Sequence, residues 1–409
     1  MMEFLTGVKE QETLELTTLL TGDYEGQSVK LNGAIHTIRD MGEVAFVILR
    51  KREGLIQCVF EEGVTKFELK DLKEAATVEV EGVVAKEDRA PNGIEIRLRE
   101  IRILSEPSAP MPLAISKWKL NTSLEAKLNN RAVSLRNVRE RAKFKIQEGL
   151  VRGFREFLYE EGFTEIHTPK IVARGAEGGS NVFKLDYFNK KAELGQSPQF
   201  YKQMAMAAGF ERIFEVGPVF RAEKSYTSRH TTEFTGFDLE FSFIDSFRDV
   251  MAMEEALLTH MLKTVKEAYG DQIRELFGKE VIVPTTPFPV MSLAELYTEL
   301  EREFGYQIPE SERGDLTTDA EHLSYELVQK KFGHEFLFVT DFSAEKRAFY
   351  HMRKDGVPQG YDLIWRGTEI TTGAQREHRY DILKAQAEEK GLAEDVKFYL
   401  EFFKYGCPP

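Results

Sequence analysis

Between residues 28 and 103 the chain alternates short β-branched runs with turn residues: SVKLNGAIH, EVAFVILR, GLIQCVF, TVEVEGVVA and GIEIRLREIRI. Val78, Val80 and Val84, then Ile94, Ile96 and Leu98, keep a period of two, so each run buries one face. Between the third and fourth runs, VTKFELKDLKEA predicts a helix. Three prolines in EPSAPMPLAISKW, near residues 106–118, mark a linker, and the stretch from Leu120 to Arg141 is polar and basic. From residue 141 the pattern changes. Leu150, Val151, Phe154, Phe157 and Leu158 form one apolar stripe of a helix over 141–160, ended by Gly162 as a C-cap. FTEIHTPKIV then reads as an extended segment interrupted by Pro169. No internal repeat or low-complexity tract is present.

Five strands with a helix after the third is the order of an OB-fold barrel. Such barrels bind single-stranded nucleic acid on the face of strands 2 and 3, although a barrel of this kind also serves without RNA. Arg39, Arg50, Lys51 and Arg52 lie on or beside the second strand; Phe46 and Phe60 are candidates to stack a base, or core residues. The expected organisation is a barrel over 1–107, a hinge over 108–140 and an α+β domain over 141–409.

The composition of the 409 residues, 42% hydrophobic and 30% charged, is that of a globular chain with ample core. No apolar run reaches the roughly 18 residues of a membrane span, and the N-terminus lacks the pattern of a signal peptide. A cytoplasmic protein without membrane contact is expected. Cys58 and Cys407 are far apart, without metal-ligand spacing, and read as unpaired thiols of a reducing compartment. The net charge is −13, and residues 1–107 hold 14 Lys and Arg against 21 Asp and Glu. Charge alone therefore argues against nucleic-acid binding, and an RNA partner would have to meet local basic patches.

Three segments carry candidate chemistry. QSPQFYKQ, 196–203, sets amides, a hydroxyl and Lys202 together; the lysine reads as a ligand for a substrate carboxylate or as a solvated surface residue. In IFEVGPVFRAEKSYTSRHTTEFTGFDLEFSFI, two strand-like runs flank a polar loop with Arg229 and His230. Arg221 and Glu223, two apart on the first run, share a face. They suit an anionic phosphate and a polar base edge, or a cross-strand ion pair. In YDLIWRGTEITTGAQREHRY, Asp362 and Glu369 are candidate Mg2+ ligands and Arg376 a candidate carboxylate clamp, or all three belong to a surface ion-pair network. No GxxxxGKS or GxGxxG loop, no HExxH and no metal-spaced Cys/His pairs occur, which excludes a Walker-type site.

Together these segments resemble the class II aminoacyl-tRNA synthetases, and among them the aspartyl-tRNA synthetases of archaeal and eukaryotic type, over nearly the whole chain. The helix 141–160 with EIHTPKIV is similar to motif 1, a dimer-interface element ending at Pro169. GPVFRAE through FTGFDLE is similar to motif 2, RGTEITTGAQREH matches the subgroup, and the barrel matches its anticodon-binding domain. The resemblance implies a homodimer with a catalytic domain built on an antiparallel sheet flanked by helices. It implies ATP-dependent activation of L-aspartate and transfer to tRNA-Asp, with Mg2+ as cofactor. It also implies roles. Glu177 would sense the substrate amino group, Gln199 and Lys202 would recognise aspartate, and Arg376 would clamp its side chain. Arg221 would hold the substrate carboxylate and the α-phosphate as the catalytic arginine. Glu223, Arg229, His230 and Thr231 would contact ATP. Glu369 would contact ATP and Mg2+, and Thr372, where the family has serine, would contribute a hydroxyl to the aspartate and metal site.

Two departures qualify the likeness. Discriminating relatives carry tryptophan after the glycine of the first strand, where this chain has Gly33-Ala34-Ile35-His36; charging of tRNA-Asn as well as tRNA-Asp is therefore expected. The sequence stops at FFKYGCPP, ahead of the third motif, so these 409 residues alone are expected to be inactive or poorly stable. The rival readings are an asparaginyl-tRNA synthetase, against which Lys202 argues, and a non-catalytic paralogue that binds tRNA or a protein partner.

Overall fold

The computed structural model describes residues 13–175, 181–223 and 231–409. The chain divides into two compact units, residues 1–144 and 145–409.

In the first unit a short helix, α1 (Leu16–Thr21), precedes five strands: β1 (Ser28–Asp40), β2 (Val44–Arg50), β3 (Leu55–Glu61), β4 (Thr77–Lys86) and β5 (Ile94–Ser105). They close into a barrel in the order β1-β2-β3-β5-β4. All pairs are antiparallel except β3–β5, where Cys58 sits beside Ile96. The alternation read from the sequence is the inner face: Leu31, Ile35, Val47, Leu49, Val78, Val80, Ile96 and Leu98 are buried together. Each such aliphatic side chain contributes about 1.5–3 kcal/mol relative to exposure. Gly82 lies where β4 approaches β5 closely, since a Cβ there would stand 2.5 Å from the Arg97 carbonyl oxygen.

The helix expected over 64–75 does not form; only the single 3-10 turn Leu69–Asp71 does. An isolated helix of that length is marginal, and tertiary contacts win. The Lys66 N–H donates to the Arg99 carbonyl beside β5, Phe67 packs on Phe60 at 5.5 Å, and Leu72 enters the barrel core. Phe60 is thereby buried and cannot stack a base, whereas Phe46 remains half-buried. Lys51 is also buried; its ammonium donates to the backbone and side-chain oxygens of Asn32 at 2.9 and 3.1 Å. Arg52 is exposed and pairs with Glu53 at 2.9 Å. Of the other basic residues named from the sequence, Arg39 is exposed and Arg50 half-buried.

The polar stretch that follows holds two short helices, α2 (Leu124–Asn129) and α3 (Arg131–Ser134), and then α4 (Val138–Glu160). In the second unit Phe154 and Leu158 of the α4 stripe are buried, with Leu150 and Phe157 packed beside them. Gly162 adopts φ 77°, the left-handed turn anticipated there. FTEIHTPKIV contains only β6 (Thr164–Glu165) and β7 (Ile171–Val172), with Pro169 between them.

β7 joins a hairpin of β8 (Lys184–Tyr187) and β9 (Lys190–Leu194). Helix α5 (Gln199–Ala207) comes next, so QFYKQ is helical. Strands β10 (Arg212–Phe220) and β11 (Glu233–Phe241) pair antiparallel, and β6 joins β10 in parallel. The long α6 (Phe247–Phe277) starts at a capping box on Ser246 and ends at Gly278. Next in the chain are β12 (Val290–Ser292), α7 (Leu293–Phe304), α8 (Thr318–Phe332) and β13 (Phe336–Thr340). The small hairpin of β14 (Arg353–Lys354) and β15 (Val357–Pro358) leads to β16 (Gly360–Trp365) and β17 (Thr368–Ala374), and α9 (Tyr380–Glu389) and α10 (Lys397–Phe403) complete the chain.

β12, β13, β16 and β17 form one sheet in that order, antiparallel except for β12–β13. Phe336, Phe338, Tyr361 and Leu363 of this sheet pack with Phe247, Met251 and Leu262 of α6. Leu337, Val339 and Ile364 pack instead with α7 and α8. The sheet is thus covered by helices on both faces, as its hydrophobic runs require.

Candidate active site

A cavity of about 900 Å³ opens in the second unit. Its walls come from α4, α5, Arg221 and Glu223 beyond β10, β11, α6, residues 346–351, β16, β17, residues 376–378 and the last residues of the chain. Of the described residues that the sequence singled out for chemistry, Gln199, Lys202, Arg221, Glu223, Thr231, Glu369, Thr372 and Arg376 line this one cavity, and Asp362 does not. Glu177, Arg229 and His230 lie outside the described residues.

Gln199 and Lys202 stand one helical turn apart on α5 and are both buried. Lys202 is not a solvated surface lysine. Its Nζ lies 3.0 Å from Asp238 Oδ1 and 3.5 Å from Glu240 Oε2. Asp238 and Glu240 alternate on β11 and therefore face the same side. Arg376 reaches the same place from beyond β17: its Nε is 3.4 Å from Glu240 Oε1, its Nη2 donates to Gln199 Oε1 at 3.3 Å, and its guanidinium lies over the Tyr350 ring at 5.2 Å. Two cations and two carboxylates thus interlock. Without Asp238 and Glu240, burying Lys202 would cost several kcal/mol.

His351, buried in the same wall, stays neutral. Burial, and then the charges of Arg376, Arg347 and Arg353, hold its pKa well below 6.5. Its Nδ1 finds no hydrogen-bond partner among the described residues.

A second group lies on β16 and β17. Asp362, read from the sequence as a metal ligand, is committed elsewhere. Arg347 grips its carboxylate with two bonds of 2.9 and 2.6 Å, and the Thr372 hydroxyl stands 2.9 Å from Asp362 Oδ1. Such a buried bidentate pair neutralises the carboxylate. Thr372 Oγ1 is also 3.1 Å from Glu369 Oε1, so Glu369 and Thr372 present a carboxylate and a hydroxyl side by side.

Arg221 and Glu223 do not share a strand face, because β10 ends at Phe220. Beyond it the backbone departs: the Arg221 N–H donates to Thr232 at 3.0 Å and the Ala222 N–H to Asn181 at 2.9 Å. The Arg221 guanidinium lies 5.4 Å from the centre of the Phe234 ring, and its Nε is buried with no partner among the described residues. A buried donor left unmatched suits an anion.

Sequence reasoning missed Asp238, Glu240 and Arg347. The Asp-Leu-Glu alternation within FTGFDLEFSF was the signal for the first two, since two carboxylates on one face of a strand need a cation. Nothing local marks Arg347, which lies on no regular element.

Comparison with known proteins agrees with this geometry. The family model described as tRNA synthetases class II (D, K and N) matches residues 123–409, and that of an OB-fold nucleic acid binding domain matches residues 29–104. An aspartate--tRNA(Asp/Asn) ligase of Methanopyrus kandleri is 42% identical over 399 residues, covering 96% of this chain and 90% of its own. An aspartate--tRNA(Asp) ligase of Pyrococcus abyssi is 37% identical over 398 residues, covering 95% and 90%. The crystal structure of asparaginyl-tRNA synthetase from Pyrococcus horikoshii, complexed with asparaginyl-adenylate, superposes with a TM-score of 0.85 at 29% identity over 97% of this chain and 91% of that one. With its barrel, its cavity and its motifs in this arrangement, the chain belongs to the class II tRNA synthetases.

Proposed function

We propose that this synthetase activates L-aspartate with ATP and transfers it to tRNA-Asp, and also to tRNA-Asn. The observation that carries the amino-acid assignment is the convergence of Lys202 and Arg376 on one corner of the cavity. Two fixed cations suit a substrate side chain that is itself a carboxylate. An asparagine amide would bring a neutral oxygen and an N–H donor to these two cationic donors in place of a charged acceptor, and sites of this kind reject such isosteres strongly. The relatives named for aspartate, at 36–42% identity, support the same reading. Asp238, on the same wall, offers a counter-charge to the substrate ammonium.

Activation needs no nucleophile from the protein, because the substrate carboxylate attacks the α-phosphate of ATP. The chain has to align the two reactants and neutralise charge. In this reading Arg221, with its unmatched Nε, holds the α-phosphate and the attacking carboxylate. Glu223 and Thr231, with Arg229 and His230, contact ATP. Glu369 and Thr372 supply hard oxygen donors 3.1 Å apart, a set that fits a Mg2+ ion held chiefly by phosphate oxygens and water. When bound, that ion supplies charge neutralisation at the leaving pyrophosphate. The likeness of residues 141–172 to an interface element supports a homodimer. No helix among the described residues is long and apolar enough to cross a membrane, and we place the enzyme in the cytoplasm.

The test is amino-acid-dependent exchange of pyrophosphate into ATP, followed by aminoacylation of both purified tRNAs. Aspartate, and not asparagine, should support exchange. Exchange with asparagine alone would favour the second reading, an asparaginyl enzyme, to which the superposed asparaginyl-tRNA synthetase gives its weight.

A further inference from the structure

Glu369 and Thr372 are three residues apart on one strand. In a regular strand such residues point to opposite faces. Here they meet because β17 contains a bulge. Leu363 pairs with Thr371 but Ile364 pairs with Glu369, so Ile370 is an extra residue in the ladder. The bulge shifts the alternation by one and brings the Glu369 carboxylate to the side of Thr372 and Asp362.

Two buried carboxylates from different helices hold this irregular stretch. On its N-terminal side, Glu321 of α8 accepts the backbone N–H of Glu369 at 3.2 Å. On its C-terminal side, Glu254 of α6 accepts the Thr371 hydroxyl and, at 2.7 Å, the Tyr361 hydroxyl. Both glutamates are buried. A buried glutamate is costly unless its bonds are needed. Burial raises Glu254 to about 6 in spite of the two hydroxyls. Leucine or methionine would fill the same space beneath the sheet at no such cost.

We propose that Glu254 is a positioning residue: by fastening Thr371 behind β17 it fixes the bulge at Ile370 and so sets the juxtaposition of Glu369 and Thr372 through which ATP with its Mg2+ is bound. This rests on the reading of Glu369 and Thr372 as ATP and metal contacts. Glu254 itself touches neither; it acts through Thr371.

The test is calorimetric titration of the full chain with ATP, with and without Mg2+, and separately with aspartate. Thr371→Val keeps the shape of the strand and removes the hydroxyl; Glu254→Ala removes its acceptor. Each should weaken ATP binding in the presence of Mg2+ on the order of tenfold, and leave aspartate affinity within about twofold. The double variant should be no weaker than either single one. Glu254→Gln, whose amide can still bridge the two hydroxyls, should retain affinity. Loss of ATP and aspartate binding to the same extent in Thr371→Val, or no loss in either, overturns the proposal. A Glu369→Gln control separates it from the reading beneath it. If that variant binds ATP with Mg2+ as before, the assignment of Glu369 fails and the inference with it. If Glu369→Gln weakens binding and Thr371→Val does not, the inference alone fails.

Discussion

Arg50 Nη1 lies 3.5 Å from His36 Nδ1 on the barrel. A guanidinium can only donate, so Nδ1 is the acceptor and the imidazole is neutral with its proton on Nε2. Burial, and then the Arg50 charge, depress the His36 pKa from 6.5 to about 4. Above pH 6.5 the imidazole is neutral in both folded and unfolded chains and has no effect. As the pH falls below 6.5 the unfolded chain takes up a proton that the folded barrel refuses until about pH 4, so stability is lost over that window. The full effect is about 3 kcal/mol. His36→Gln should remove this component. Hydrogen exchange of the β1 amides at pH 7 and pH 4.5 measures it, and an unchanged difference between the two pH values in the variant would refute the assignment.

Lys202→Met should leave Asp238 without its cation and the buried Glu240 with Arg376 alone. The expected loss is on the order of 3 kcal/mol in kcat/KM for aspartate, with ATP affinity little altered. Steady-state pyrophosphate exchange reads it. A variant with unchanged kcat/KM would sink the role given to the lysine.

Ala34 stands directly across from Arg50 in the β1–β2 ladder. A methyl group at this place leaves the neighbouring surface open, and specificity is a difference between two affinities. Ala34→Trp should lower charging of tRNA-Asn several-fold more than charging of tRNA-Asp. Equal effects on the two tRNAs would show that residue 34 plays no part in the choice.

Gly373 faces the ring of Tyr361 across β16 and β17. A Cβ there would come within 2.6 Å of Tyr361 Cε1. Gly373→Ala should therefore cost about 1–3 kcal/mol through overpacking. Combined with Tyr361→Leu, the cost should fall short of the sum of the two single changes. Thermal melting of the three variants tests it, and strict additivity would contradict the clash.

Much of this was legible beforehand. The barrel strands follow from alternation because each has one wet and one dry face, and the α4 stripe follows from a helical period. Arg221, Lys202, Glu369 and Arg376 stood out as charges in otherwise patterned segments. The helix over 64–75 failed because Phe67 and Leu72 gain more from the barrel than a short helix gains from its own hydrogen bonds. Spacing alone puts Arg221 and Glu223 on one face, because no local feature of the sequence marks the end of β10 at Phe220. The Arg347–Asp362 pair was invisible because it joins a loop to a strand through tertiary contact alone.

The extra residue at Ile370 amounts to a change of phase within a single strand. Before it and after it, odd and even positions exchange meaning. A side-chain alternation counted back from Ala374 would assign Glu369 to the α6 side of the sheet, with Thr371, and away from Thr372 and Asp362. Two polar residues spaced by three within an otherwise extended run, such as Glu369 and Thr372, are therefore a mark by which a hidden phase shift can be sought in other sequences. Within this chain, every residue on the far side of Ile370 owes its orientation to a position whose own side chain takes no part in the chemistry.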